Sequence, residues 1–455
     1  MDLSKVKKVF ISGIGGIGVS AVARFLIAKG IKVVGSDAVS SDLTEALKKA
    51  GAEIYYEQKA ENVTFMSDLF IYSSSVPATN PERVKAKELG LIQKSYPEFL
   101  GEMSRDYKTI AVSGTKGKST TSALIAGILI DAEKDPTVIL GSKFSKLDDN
   151  FRLGASDLLV AEACEYRGHM LLVKAQTIVL TNIAEDHLDY YKDLNHIIQT
   201  FQQYVNSLRD ADDCLVYNFD DVNIRQLTLQ KCKKTSFGFI PGADIQAHNV
   251  RKLPGKQIFD VLYYDQSLGD FELSVPGDIN IYNALASIAY AMTLDIPVGV
   301  IKKSLREYRG IWRRFEIVKD EKITVVSDYA HNPMSVAGAL QAAREFFPDR
   351  RLVAIFQPHQ HSRTKKLFDG FVKSLVAADA IVLPEIYEVS GREEQDADIS
   401  SQALVDAIKA QAEDKPIYYA SDLNEAVDIA RPLIKDGDVV MVMGAGDIYK
   451  IVERI

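Results

Sequence analysis

The run Ala111-Val112-Ser113-Gly114-Thr115-Lys116-Gly117-Lys118-Ser119-Thr120-Thr121 constrains this chain more than any other segment. The apolar residues 109–112 read as a buried strand, and the Ala/Leu/Ile-rich residues 122–130 read as a helix. A strand, a glycine turn and a helix that opens on Lys and Ser together cradle a polyphosphate. The free N–H groups of the turn and the helix N-terminus face the anion. Lys118 adds a point charge for the terminal phosphates, and Ser119 or Thr120 offers a hydroxyl to Mg²⁺. Gly114, Thr115, Lys116 and Gly117 supply the cradle's backbone. The loop is shorter than the usual G-x-x-x-x-G-K-[ST] form, because Val112 stands where the first glycine would be. An ordinary glycine turn with a solvated lysine is the alternative, and the flanking strand and helix weigh against it.

A chain of 455 residues suggests about three domains of roughly 150 residues each. We expect them at 1–105, 106–311 and 312–455. Apolar residues make up 47% and charged residues 25%, which provides an ample core for a soluble globular protein. The net charge of −8, with no block of like charge, argues against nucleic acid as the main partner. Cys164, Cys214 and Cys232 are too few and too scattered for a disulfide framework or a zinc site, so a reducing cytoplasm fits. Residues 1–8 lead into a glycine-broken strand pattern, not a signal peptide. No apolar run approaches the roughly 20 residues of a membrane span, so no membrane insertion is expected.

The first segment carries a strand at 9–12, then Gly13-Ile14-Gly15-Gly16-Ile17-Gly18, a helix over 19–29 and a second strand at 31–35 that ends at Asp37. This is a βαβ unit with G-x-G-x-x-G at its first turn. The motif places a pyrophosphate or a close backbone contact at a helix start and does not choose the ligand. A nicotinamide or flavin dinucleotide with Asp37 on a ribose is one reading, and a solvated strand-end Asp37 is another. Strands are expected at 54–58 and 69–75, where Ser73 and Ser74 offer hydroxyls at a strand end or form a polar turn.

In the second segment, 158–162 and 177–182 are apolar runs that end in polar residues, as central parallel strands do. Glu162 and the run Asp186-His187-Leu188-Asp189 would then lie at the strand ends beside the phosphate loop. Residues 244–273 alternate and predict a small antiparallel patch, and 284–294 predict an Ala-rich helix. In the third segment, strands are predicted at 324–327, 352–356, 380–383 and 439–443, with a helix over 335–346. Polar residues again follow the strands, at Asp328-Tyr329-Ala330-His331-Asn332-Pro333, Gln357-Pro358-His359 and Gly444-Ala445-Gly446-Asp447. Strand and helix alternate throughout, so the fold class is α/β.

A phosphate loop, an acidic strand end, a D-H-x-D run and a D-Y-A-H-N-P run, in that order, resemble the Mur ligase superfamily over essentially the whole chain. These are ATP-dependent amide-forming enzymes of cell-wall and folate metabolism. The resemblance implies a Rossmann-like N-terminal domain for a UDP-sugar, a central P-loop-type ATPase domain with a parallel sheet, and a Rossmann-like C-terminal domain. Three further runs resemble the branch that adds alanine: 10–18, Glu162-Ala163-Cys164-Glu165-Tyr166-Arg167-Gly168-His169, and 356–364. The implied substrates are UDP-N-acetylmuramate, L-alanine and ATP with Mg²⁺. The implied setting is a cytoplasmic monomer or weak homodimer.

The resemblance also assigns residues. Lys118 holds the terminal phosphates of ATP. Ser119 or Thr120 binds one Mg²⁺ that Glu162 shares, and His187 helps to bind a second. Asn280 and Asn283 lie near the adenine, with Ile279 where the family usually has His. Arg314 reaches the γ-phosphate, a role that suits a planar guanidinium. Asp328 lies at the ATP ribose. His331 positions the amino acid or accepts its proton. His359 and Arg363 take the alanine carboxylate, with Gln360 where some members have Arg. Gly13, Gly15, Gly16, Ile17 and Gly18, with Asp37, Ser73 and Ser74, hold the UDP-sugar. Several relatives carry a Lys downstream of the D-H-x-D run that becomes carbamylated. Residues 193–209 contain none, in agreement with the alanine-adding branch. Three rival readings are a cell-wall recycling ligase that adds a tripeptide to the same UDP-sugar, an NAD-dependent oxidoreductase, and an inactive scaffold of the same fold.

Overall fold

The computed structural model describes residues 3–188, 190–229, 231–388 and 398–455. The chain forms two compact units. The first holds residues 1–248, 260–270 and 279–305, and the second holds 249–259, 271–278 and 306–455.

The first unit contains a five-stranded parallel sheet in the order Glu53–Tyr55, Lys32–Ser36, Lys8–Ser12, Leu69–Tyr72, Gln93–Ser95. Val9, Phe10 and Ile11 are fully buried, which is why this strand reads as a continuous apolar run. The strand order reverses at Lys8–Ser12, and a ligand crevice opens at such a switch point. The glycine loop leaves this strand and enters the helix Ile17–Ala28. Ser12 and Ser36, the last residues of neighbouring strands, both donate to Glu82 Oε2 at 2.6 Å, and Asn62 donates to Oε1 at 2.9 Å. Glu82 is completely buried, and these bonds offset its desolvation. They also tie together the two strand ends that carry the loop and Asp37.

The larger sheet runs, in order, through Lys233–Gly238, Cys214–Asn218, Thr177–Leu180, Lys108–Ser113, Leu158–Glu162 and Thr137–Phe144, all parallel, to an antiparallel edge at Asp149–Arg152. Lys108–Ser113 is central, so the phosphate loop sits between the ends of Leu158–Glu162 and Thr177–Leu180. The helix Lys118–Asp131 behind it is buried over most of its length, as an apolar helix under a sheet must be. Ile245–Leu253, Lys256–Tyr263 and Gln266–Leu273 continue the sheet on the other side. Their connections, residues 254–255 and 264–265, are short enough only for antiparallel hairpins, which matches the predicted patch.

The second unit's sheet is ordered Glu316–Asp320, Thr324–Asp328, Val439–Met443, Leu352–Phe356, Ala380–Pro384, Ile417–Ala420, parallel apart from the first strand. Asp328, Phe356 and Met443 are in register, so the polar runs after each strand emerge at one edge.

The structure departs from the sequence reading at element ends. The strand expected at 54–58 is Glu53–Tyr55, and that expected at 69–75 stops at Tyr72. The helix expected from 284 begins at Asp278, so Asn280 and Asn283 lie on its first turns rather than ahead of it. Gly277, at φ +89°, ends the preceding turn. Among the described residues, no helix is long and apolar enough to cross a membrane.

Candidate active site

Gly117 caps the helix Lys118–Asp131 at φ +86°. A Cβ at Gly117 would lie 2.3 Å from Asn283 Oδ1, so glycine is required both for the backbone turn and for the approach of Asn283. Asn283 Oδ1 accepts from Thr121 Oγ1 at 3.1 Å, and its Nδ2 donates to Asn280 Oδ1 at 3.2 Å. Across the loop, Lys116 N–H donates to Asn182 Oδ1 at 2.9 Å, and Asn182 Nδ2 returns a bond to Lys116 O at 2.8 Å. The loop is therefore pinned from two neighbouring elements before any ligand binds.

Lys118 Nζ donates to Gly114 O at 2.6 Å and to Thr115 O at 3.1 Å. It also lies 2.7 Å from Glu165 Oε2. The Glu165 side chain is only 2% exposed, and neither oxygen has an aligned hydrogen bond, so this contact is an ion pair without good hydrogen-bond geometry. His187 Nε2 stands 3.6 Å from Glu165 Oε1. Glu165, Asp186 and His187 each offer a ligand atom within 4.8 Å of the others. His187 adopts φ +52°, a left-handed conformation uncommon for a residue with a side chain, and its N–H donates to Asp186 Oδ1 at 2.8 Å. Beside this cluster, Ser119 Oγ donates to Glu162 Oε2 at 2.9 Å, and Gly141 N–H donates to Glu162 Oε1 at 2.6 Å.

A cavity of about 260 Å³ adjoins the loop, lined by Lys116, Asn182, Asp220, Phe237, Ile279 and Tyr282 among others. Tyr282 donates to Asp220 Oδ2 at 2.8 Å, which fixes one wall.

At the switch point, Gly13 and Ile14 N–H groups donate to Ser36 O at 2.9 and 3.0 Å. Asp37 Oδ2 accepts from Gly15 N–H at 2.7 Å, and Oδ1 accepts from Ala38 N–H at 2.8 Å. Asp37 thus holds the glycine loop itself. Ile17 O accepts from Asn150 Nδ2 at 2.5 Å, and Gly18 packs directly under the Tyr96 ring. Tyr96 opens a helix set by a Ser95–Glu98 capping box with Pro97 in its first turn. Ser73 N–H donates to Ser12 O at 2.9 Å, and Ser74 is exposed.

In the second unit, Asp328 accepts from Phe315 N–H and Ala330 N–H, both at 2.8 Å. Burial pushes its carboxyl above the usual range, while those two bonds and the Arg314 and Arg313 charges pull it back. Arg313 and Phe315 are left-handed, at φ +58° and +44°, so Arg314 is presented from a strained turn that its N–H closes on Ile311 O at 2.9 Å. His331 Nδ1 faces Tyr329 O at 3.0 Å. Burial holds the His331 imidazole below its usual range, the Tyr329 carbonyl opposes this, and the Arg363, Arg314 and Arg313 cations add to it. His359 Nδ1 lies 3.3 Å from Arg363 Nη1, and its ring stacks on Tyr387 at 5.3 Å.

The "Mur ligase family, catalytic domain" profile matches residues 8–108, the "Mur ligase middle domain" profile matches 112–291, and the "Mur ligase, glutamate ligase domain" profile matches 313–446. The chain belongs to the Mur ligase family. A UDP-N-acetylmuramate–L-alanine ligase of Clostridium novyi is 40% identical over 451 residues, covering 98% of this chain and 96% of its own. One from Clostridium perfringens is 37% identical, covering 98% and 97%. The crystal structure of the UDP-N-acetylmuramate–alanine ligase of Thermotoga maritima has a TM-score of 0.83 and 29% identity, covering 98% of this chain and 97% of its own. A murein peptide ligase from Psychrobacter arcticus, at 24% identity, TM-score 0.69 and 98% of each chain, shares the fold.

As a Mur ligase, the chain has its glycine loop at 13–18 within a ligase domain, and the nicotinamide reading of that loop falls. The structure brings Lys118, Ser119, Glu162 and His187 together, along with Asn283 and the loop backbone. Ser119, rather than Thr120, turns its hydroxyl to Glu162. Asp189 lies outside the described residues. Sequence reasoning placed Asp186 beside the phosphate loop without giving it a role, and it missed Glu165 as a member of the acidic cluster. The signal was present: Glu165 stands three residues after Glu162, and Asp186 immediately precedes His187.

Proposed function

We propose that this chain is an ATP-dependent ligase that joins L-alanine to the lactyl carboxylate of UDP-N-acetylmuramate, in the synthesis of peptidoglycan precursors in the cytoplasm. The observation that carries the reading is full-length similarity, at 35–40% identity, to curated ligases of that name. A free carboxylate acylates poorly. Transfer of the γ-phosphoryl group of ATP to it gives an acyl phosphate and ADP. The alanine amine then attacks the acyl carbon, phosphate leaves, and the amine loses a proton. Both steps gather negative charge, so fixed cations and donors serve this site better than a covalent nucleophile would.

We assign Lys118 and the N–H groups of residues 114–118 to the terminal phosphates of ATP, and the cavity beside Asn283 and Tyr282 to its purine. The donor set fits Mg²⁺: a Ser119 hydroxyl and Glu162 carboxylate form one group, and Glu165, Asp186 and His187 form another in which two buried carboxylate oxygens lack hydrogen bonds. Mg²⁺ held there would neutralise phosphate charge. The loop at 13–18 is assigned to the UDP diphosphate, with Asp37 positioning the loop. In the second unit, Arg314 is assigned to the γ-phosphate, Asp328 to the ribose, and His331, His359 and Arg363 to the amino acid. The division at 105/106 and 311/312 belongs to this proposal.

The test is phosphate release from ATP with UDP-N-acetylmuramate, comparing L-alanine, the recycled tripeptide and no amino acid. Release that requires both the UDP-sugar and L-alanine is expected. Release with the tripeptide alone would move the chain to the recycling activity, and no release under any condition would mark it as an inactive member.

A further inference from the structure

Arg313 is 5% exposed, although the neighbouring Arg314 is the one to which the family pattern assigns a role. Its guanidinium lies 5.5 Å from the Trp312 ring, 4.7 Å from Tyr329 and 4.9 Å from Tyr449, a cage that suits a flat, weakly hydrated cation. Nη2 donates to Gly446 O at 3.0 Å and also to Gly444 O, while Nε has no partner. The Arg313 carbonyl accepts from Tyr329 N–H at 2.9 Å. One buried side chain therefore holds two separate chain segments at once.

Each segment leads to a residue assigned above to the amino acid. On one side, the Tyr329 ring meets His331 edge-on at 5.2 Å, and its carbonyl faces His331 Nδ1. On the other side, Gly446 packs against the ring of Tyr387, which stacks on His359. Tyr387 N–H donates to Pro358 O at 2.8 Å, and Gln360 N–H donates to Tyr387 O at 3.1 Å, so the backbone around His359 is clamped to Tyr387. His359 in turn meets Arg363. We propose that Arg313 is a positioning residue that fixes the spacing between His331 and the His359–Arg363 pair, and thereby selects the amino acid. This inference rests on the assignment of those three residues to the amino acid. Lysine does not replace Arg313 there: a compact, strongly hydrated point charge on a flexible stem does not fill the three-ring cage as the flat guanidinium does.

Arg313→Lys tests the proposal. The KM for L-alanine should rise roughly 10- to 100-fold, as small misplacements of binding groups do. The KM values for ATP and UDP-N-acetylmuramate should stay within about twofold, and the preference for alanine over glycine and serine should narrow. Trp312 is the chain's single tryptophan, so its emission reports on the cage directly. With UDP-N-acetylmuramate and a non-hydrolysable ATP analogue bound, alanine should change that emission in the parent and only at higher concentration in the variant. A common rise in all three KM values would show a merely structural residue, and an unchanged alanine KM would overturn the proposal. If Arg313→Lys does not fold, Tyr387→Leu removes the ring contacts to Gly446 and His359 while keeping the main-chain bonds of residue 387 and should give the same split, and its absence would also overturn the proposal. If the parent turns over ATP with another amine and not with alanine, the functional reading fails, and the same split measured for that amine still decides the role of Arg313.

Discussion

The Lys118 ammonium lies 2.7 Å from the carboxylate of Glu165, whose side chain is 2% exposed. Each member of this pair keeps the other from being a lone buried charge. Lys118→Met should abolish ligation and also cost about 3 kcal/mol, because it leaves Glu165 uncompensated. Adding Glu165→Gln should recover most of the stability and none of the activity. Chemical denaturation of the two single variants and the double variant gives the coupling, and a value under about 0.5 kcal/mol would show that the pair contributes nothing to folding.

Ser119 and Glu162 share a 2.9 Å hydrogen bond beside the phosphate loop. A hydroxyl and a carboxylate set this way are suited to a hard divalent cation. Glu162→Gln keeps the shape and one of the two acceptor oxygens and removes the charge. Turnover should drop roughly 100-fold or more, with a higher Mg²⁺ concentration needed for half-maximal rate. A Mg²⁺ titration of phosphate release checks this, and a parent-like Mg²⁺ requirement in the variant would remove Glu162 from the metal site.

Gly18 lies so close to Tyr96 that a Cβ there would come within 2.7 Å of the ring carbon Cζ. The clash is purely steric, because Gly18 is not left-handed. Gly18→Ala should therefore tilt the start of the helix Ile17–Ala28 and raise the KM for the UDP-sugar, while the KM for ATP stays put. Tyr96→Leu, combined with Gly18→Ala, should restore part of the binding by vacating the space. No rescue in the double variant would mean that the glycine is needed for ligand approach and not for packing.

The strands that position these residues were legible because the central parallel strands are covered on both faces, so they are unbroken apolar runs with polar residues at their ends. That alone places Glu162, Asn182 and Asp328 at functional edges. Glu165 was not legible in the same way. It reaches Lys118 because the strand ends at Glu162 and Glu165 then caps a short 3₁₀ stretch, Tyr166–Leu172, whose Arg167 and Gly168 are left-handed at φ +52° and +69° and turn the chain back. No periodicity announces such a reversal. Arg313 was hidden for a different reason: the two adjacent arginines look alike in sequence, and its cage comes from Trp312, Tyr329 and Tyr449, which only tertiary structure assembles. The alanines from 284 onward mark the helix in the sequence, but Asp278 begins it, so Asn280 and Asn283 lie within its first turns.

Burial and three arginines hold the His331 imidazole below its usual range. In the unfolded chain this histidine titrates near its ordinary value of about 6.5. Between that value and the lower folded one, the unfolded state carries the extra proton. Stability therefore falls as the pH drops through this window and levels off below the folded value. The same depression favours the neutral ring, which suits the role proposed for His331 of accepting the proton of the attacking amine. His331→Gln should flatten the acid side of the stability profile, since glutamine does not titrate, and should lower the rate of the amide-forming step more than the binding of ATP. Melting temperatures of parent and variant, taken in steps from about pH 7.5 to about pH 5, measure the first effect, with the sign fixed by linkage. Parallel curves would show that His331 is not depressed, and a steeper fall in the variant would reverse the sign of the argument.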